Sequence, residues 1–213
     1  MFHFRHIHTR RQVAHAMKRL YNRGLTTPSG GNISIRRGNL VFITASQIDK
    51  ATIGLCNVAI VDLKGKNLTP RLKPSMETFM HLSIYQTRPD IKAIVHAHPP
   101  LSSAFSAQPN LLSTDINSEA ILILGNIGFT SYQPMGSDKL ANHVAHEAQF
   151  HNVIFLQHHG VVALGTSLGE ALDRIEVLES VAQITFVRKL FEITETIPAE
   201  EVERIKQLGS NKQ

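Results

Sequence analysis

Apolar positions along the chain switch between helical spacing and short strand-like runs. Val13, Met17, Leu20 and Tyr21 form one helical stripe, and Thr9-Arg10-Arg11-Gln12 ahead of them reads as a capping box. A helix over 9–22 is expected, with Gly24 placed for a left-handed cap. The turn-rich stretch T-T-P-S-G-G-N then runs into a strand through I-S-I-R, and residues 39–44 read as its hairpin partner. Residues 58–63 form a further strand, closed by Lys64-Gly65-Lys66. Met76, Phe79, Met80 and Ile84 repeat at helical spacing after Pro74, with Ser75 as the expected N-cap. A buried strand is expected over 91–98, and further strands over 119–124 and 128–131. Ser137 opens an amphipathic helix through Leu140, Val144 and Ala148. Strands over 153–156 and 161–164 flank Q-H-H-G, Ser167 caps a long helix to about 192, and Pro198 starts a short polar helical tail.

Strands joined by short turns and interspersed with helices predict a mostly antiparallel sheet with helices on its faces. The class is therefore α/β (α+β): either α+β or a layered α/β/α sandwich. The chain of 213 residues shows no repeat, linker or low-complexity tract. It reads as a single domain over 1–213, with an N-terminal arm over 1–8 and a C-terminal tail over 198–213.

Hydrophobic residues at 42% and charged residues at 18% exclude a disordered chain. Trp is absent and aromatics are 6%, so the core is expected to be aliphatic. A net charge of +5 favours anionic ligands. The basic residues are scattered, clustering only at Arg10/Arg11 and Arg36/Arg37 without interleaved aromatics, which argues against nucleic acid. The single cysteine, Cys56, forms no internal disulfide. Neither a signal pattern nor a membrane-length apolar run is visible, so a cytoplasmic protein is expected.

The chemistry concentrates in histidines. His96 and His98, at i and i+2 in I-V-H-A-H-P-P, point from one face of a strand that Pro99 and Pro100 terminate. A second pair, His158 and His159, follows another strand. The local pattern leaves open which of the two joins the first pair, although Gly160 permits close approach after His159. Three imidazoles with an open position suit a catalytic zinc ion. Glu77 in K-P-S-M-E-T is either a carboxylate complementing a helix dipole or a general base beside the metal. His3, His6 and His8 read as a solvated arm, and His15, His81, His143, His146 and His151 as surface or partly buried residues. T-P-S-G-G-N, the helix start at Ser75 and the hydroxyls of Thr44-Ala45-Ser46 suggest an anion cradle, hence a phosphorylated substrate.

Five motifs, in order, resemble the class II aldolase/adducin family, typified by L-fuculose-1-phosphate aldolase. They are G-G-N-I-S-I-R at 30–36, I-T-A-S at 43–46, K-P-S-M-E at 73–77, V-H-A-H at 95–98 and Q-H-H-G at 157–160. The resemblance implies an α/β/α sandwich, one Zn2+ per subunit on His96, His98 and His159, and Glu77 as the acid/base. It implies phosphate binding by Gly31, Asn32, Ser46 and Ser75, and a homotetramer with interfacial active sites. It also implies a zinc-dependent aldolase that cleaves a ketose 1-phosphate to dihydroxyacetone phosphate and an aldehyde through a metal-stabilised enediolate. The alternatives are a methylthioribulose-1-phosphate dehydratase, with Glu119 as second acid, a sugar-phosphate 4-epimerase, and a non-catalytic adducin-like module. Epimerases of this type carry aspartate where Glu77 stands, and the adducin branch lacks the metal ligands. Gln47 stands where the aldolase type has glycine and Met76 where it has a second serine. Asn117 or Glu119 lies where a neighbouring subunit's tyrosine is expected, and Leu208 near the position of a tail tyrosine.

Overall fold

The computed structural model describes residues 6–210. In chain order the elements are α1 Ile7–Asn22, β1 Asn32–Arg37, β2 Leu40–Thr44, β3 Val58–Asp62, α2 Thr78–Thr87, β4 Ala93–Ala97 and α3 Pro100–Phe105. They continue as α4 Ser118–Leu124, β5 Ile127–Thr130, α5 Asp138–Glu147, β6 Val153–Leu156, β7 Gly160–Gly165, α6 Leu168–Leu190 and α7 Ala199–Ser210. The strands form a seven-stranded sheet in the order β3-β2-β1-β4-β7-β6-β5. Every pairing is antiparallel except β5 with β6.

The period of two along each strand separates two cores. Ala93, Val95 and Ala97 of β4 join a core with Val13, Met17 and Leu20 of α1 and Ile175 and Leu178 of α6. Ile94 faces the other way, with Met80, Ile84 and Tyr85 of α2 and Leu140 and Val144 of α5. Helices therefore cover both faces, giving the three-layer α/β/α sandwich. Each fully buried aliphatic side chain contributes about 1.5–3 kcal/mol of burial energy. His96, two residues after Ile94, must emerge on the same α2/α5 face, near the end of a central strand.

Four expectations need correction. Residues 119–124 are helical, because Asn117 Oδ1 accepts from the Glu119 and Ala120 amides at 2.8 and 3.2 Å and so caps α4. Ala120, Ile121 and Leu124 then share its buried face, a pattern that a short apolar run conceals. Helix α1 starts at Ile7, ahead of Thr9, which is buried within it. The arm expected over 1–8 is thus helical at Ile7 and His8; residues 1–5, His3 among them, lie outside the described residues. His6 places its ring centroid 5.0 Å from that of Phe42. Ser75 does not cap α2: Glu77 occupies the N-cap position and Ser75 closes a preceding turn, its carbonyl accepting from the Thr78 amide at 3.1 Å. The tail helix α7 docks on α4, burying Val202. Ser137 and Ser167 do cap α5 and α6, accepting from the Leu140 and Glu170 amides.

Candidate metal centre and active site

The three imidazoles come from strand β4, the residue after it and the turn that enters its neighbour β7. His96 sits in β4, opposite Val162 of β7, and its Nδ1 donates to the Val161 carbonyl at 3.0 Å. That bond leaves Nε2 with its lone pair turned into the site. His98 follows directly after β4, with Nε2 3.0 Å from His96 Nε2. His159 lies in the turn between β6 and β7. His158 takes the left-handed conformation, φ +56°, which carries its own ring to the surface and His159 inward. A Cβ on Gly160 would stand 2.6 Å from both the Ala97 carbonyl oxygen and His98 Cδ2, so the close passage of this turn requires glycine. One ring nitrogen from each of His96, His98 and His159 lies within 4.8 Å of the others.

Glu77 approaches from the entry to α2. Its Oε2 is 3.1 Å from His96 Nε2 and accepts from Asn32 Nδ2 at 2.7 Å. Its Oε1 is 3.4 Å from His159 Nε2 but has no hydrogen-bond partner, although buried. Burial pushes the Glu77 carboxyl up, but His96, His159, the Asn32 amide and His81 together outweigh it and hold the group below the usual carboxylate range. Burial, with help from His96 and His159, lowers His98 to about 3. Burial likewise lowers His159. His98 and His159 are therefore neutral at pH 7, the state in which a ring nitrogen binds metal. Neutral imidazoles, a ring oriented through its far nitrogen and an orphaned carboxylate oxygen together fit one metal ion.

Gly31, Asn32, Ser46 and Ser75 line a cavity of about 320 Å³ together with Glu77, His98 and His159. The cradle and the histidine cluster are thus one site. Gly31 has φ +66°, and a Cβ there would lie 2.7 Å from the His96 carbonyl oxygen. The side chain of Asn32 is turned away from the cradle, its amide being committed to Glu77 and to His81. Ser46 donates its amide to the Lys73 carbonyl and Ser75 Oγ accepts from the Glu77 amide. Gln47 has φ +59°, a conformation that the expected glycine would adopt without strain. Glu119 is exposed in the first turn of α4 and does not line this cavity, and Asn117 is spent on capping.

Two neighbours of the site were not anticipated. Lys50 lines the cavity although only 2% exposed, and burial lowers its ammonium pKa. No spacing marks it within A-S-Q-I-D-K. His81, expected near the surface, is fully buried and bonded to Asn32 and Ser34. Its signal was present, since it follows Glu77 by four residues and so shares its helical face.

Fold and site together define an α/β/α sandwich with a three-histidine centre able to hold one metal ion beside a buried carboxylate. Residues 11–186 match the family described as Class II Aldolase and Adducin N-terminal domain, and the chain belongs to that family. It is 38% identical over 168 residues to an L-fuculose phosphate aldolase of Methanococcus maripaludis, covering 79% of this chain and 91% of that one. It is 30% identical over 203 residues to a 5-methylthioribulose-1-phosphate/5-deoxyribulose-1-phosphate aldolase of Rhodospirillum rubrum, covering 93% and 91%. Its fold is similar to a solved L-fuculose 1-phosphate aldolase, with a TM-score of 0.83, 29% identity and coverage of 93% and 94%. No helix of the described residues is long and apolar enough to cross a membrane.

Proposed function

We propose that the protein is a zinc-dependent aldolase that cleaves a ketose 1-phosphate to dihydroxyacetone phosphate and an aldehyde. The observation that carries this reading is the Glu77 carboxylate, set against His96 and His159 and opening on a cavity lined by Gly31, Ser46 and Ser75. When bound by His96, His98 and His159, zinc supplies Lewis acidity toward carbonyl and hydroxyl oxygens of the substrate. The cradle and the Lys50 ammonium hold the phosphate and so fix the sugar's orientation. As the bond between C3 and C4 breaks, its electron pair stays with C3, and the C4 hydroxyl passes its proton to the Glu77 carboxylate and becomes the aldehyde carbonyl. Glu77 delivers a proton to C3, and in the synthetic direction removes it. The names of the relatives support a ketose 1-phosphate as substrate.

Glu119, exposed and away from the cavity, offers the dehydratase reading no second acid from the same subunit. Glu77 stands where an epimerase of this type carries aspartate, and the full histidine set argues against a metal-free scaffold. The cytoplasm and a homotetramer with interfacial active sites complete the reading. The test is zinc-loaded protein supplied with L-fuculose 1-phosphate, 5-deoxyribulose 1-phosphate and 5-methylthioribulose 1-phosphate. Release of dihydroxyacetone phosphate from at least one is expected. Loss of water from the methylthio sugar without cleavage would transfer the assignment to a dehydratase, and no reaction with any of them would defeat both.

A further inference from the structure

Behind Glu77 a line of polar contacts runs inward through the α2 face of the sheet. Asn32 Oδ1 lies 2.6 Å from His81 Nε2, His81 Nδ1 lies 2.7 Å from Ser34 Oγ, and Ser34 Oγ lies 2.8 Å from the Tyr85 hydroxyl. Ser34, His81 and Tyr85 are fully buried, beside Val41, Ile94 and Ile84. Apolar side chains would fill this space at lower cost, because polar groups here must all be paired. The pairing is complete and has one direction. A carboxylate only accepts, so Asn32 presents its NH2 to Glu77 and its carbonyl to His81. His81 must then carry its hydrogen on Nε2 and, as a neutral ring, accept at Nδ1 from the Ser34 hydroxyl. Ser34 in turn accepts from Tyr85, whose hydroxyl also lies 3.2 Å from the Ser34 carbonyl oxygen. Every donor in the line points toward Glu77.

We propose that Tyr85, Ser34 and His81 are positioning residues that lock the Asn32 amide onto Glu77 Oε2, leaving Oε1 as the oxygen that carries the substrate proton. The proposal rests on the reading of Glu77 as proton carrier. It accounts for the unlike surroundings of the two oxygens, one bonded at 2.7 Å and the other buried without a partner. It also gives the buried His81 a task that an apolar residue could not perform. Inverting the Asn32 amide would set its oxygen against the carboxylate and swing Oε1 from its place beside His159.

Two measurements decide it. Nitrogen-15 spectra of histidine-labelled, zinc-loaded protein are expected to show His81 with its hydrogen on Nε2; a hydrogen on Nδ1 overturns the proposal. In steady-state kinetics normalised to bound zinc, His81→Leu and Ser34→Ala are expected to lower kcat about 10- to 100-fold with KM unchanged. His81→Gln, which keeps one donor and one acceptor, is expected to restore kcat to within about threefold. Tyr85→Phe serves where His81→Leu fails to fold, with a smaller loss of kcat expected. Equal kcat in all variants, with only thermal stability lowered, would show a merely structural role and sink the proposal. A wild-type protein without lyase activity would instead defeat the reading of Glu77, and with it the catalytic part of this proposal, whatever the ring proton shows.

Discussion

Glu77 separates two roles that substitution can resolve. Glu77→Gln keeps the shape and the contact with Asn32 but cannot exchange a proton. Turnover is expected to fall about 10²–10⁴-fold while bound zinc, measured by elemental analysis, stays at the wild-type level. A parallel loss of zinc would mean that the carboxylate serves chiefly to hold the ion. The neighbouring imidazoles predict an acid-labile apoprotein. Burial holds His81 and His98 at about 3, whereas in the unfolded chain histidine titrates near 6.5. Below that value the unfolded chain takes up protons that the folded one refuses, so stability falls as pH drops from about 6.5 toward 3. Each such imidazole contributes a slope of roughly 1.4 kcal/mol per pH unit within that window. Urea unfolding of zinc-stripped protein at pH 7, 6 and 5 checks this; a flat series would contradict neutral burial of these rings.

At the scale of elements, the short helix α3 matters because it starts immediately after His98 and Pro99. Its first turn is held by Glu179 of α6, whose carboxylate accepts from the Leu101 and Ser102 amides and from Ser102 Oγ at 3.1, 2.8 and 2.7 Å. Glu179→Leu leaves these donors without a partner, at roughly 1–3 kcal/mol for each that stays buried. A lower urea midpoint and weaker zinc retention under chelator competition are the expected outcomes; unchanged zinc retention would show that α3 does not brace His98. None of this anchoring was legible in the sequence, because Ser102 and Glu179 are far apart in the chain and neither belongs to a local pattern. What was legible is what local periodicity dictates. Strand β4 could be read because the apolar run through Ala93, Ile94 and Val95 ends in two histidines that Pro99 and Pro100 stop, and α5 and α6 because a serine cap precedes each apolar stripe. Residues 119–124 belong to a helix and not to the expected strand because I-L-I-L carries no period, and Asn117, immediately ahead of Ser118, is the cap that distinguishes it. The three metal-ligand candidates and Glu77 were visible as motifs, whereas Lys50 and His81 acquire meaning only through tertiary placement.

The molecule as a whole presents its cavity beside apolar surface. Met76 and Met135 line the cavity while 58% and 60% exposed, and Tyr132 is 59% exposed. Solvated apolar side chains at the mouth of a polar site are expected to be covered by a neighbouring subunit. Sedimentation should therefore report an oligomer, a tetramer under the proposed reading, and Met135→Asp should shift it toward smaller species with a matching loss of activity. A wild-type particle of 23.7 kDa, the mass of one chain, would contradict this. The architecture also divides labour between layers. The imidazoles hang from the central strand β4, the residue that follows it and the turn entering β7, while the carboxylate arrives at the threshold of an outer helix. Changes to the approach of α2 can thus exchange one proton partner for another without dismantling the chelating cluster. Such a scaffold is suited to diversify its reactions by rebuilding one gatepost while the keystone stays in place.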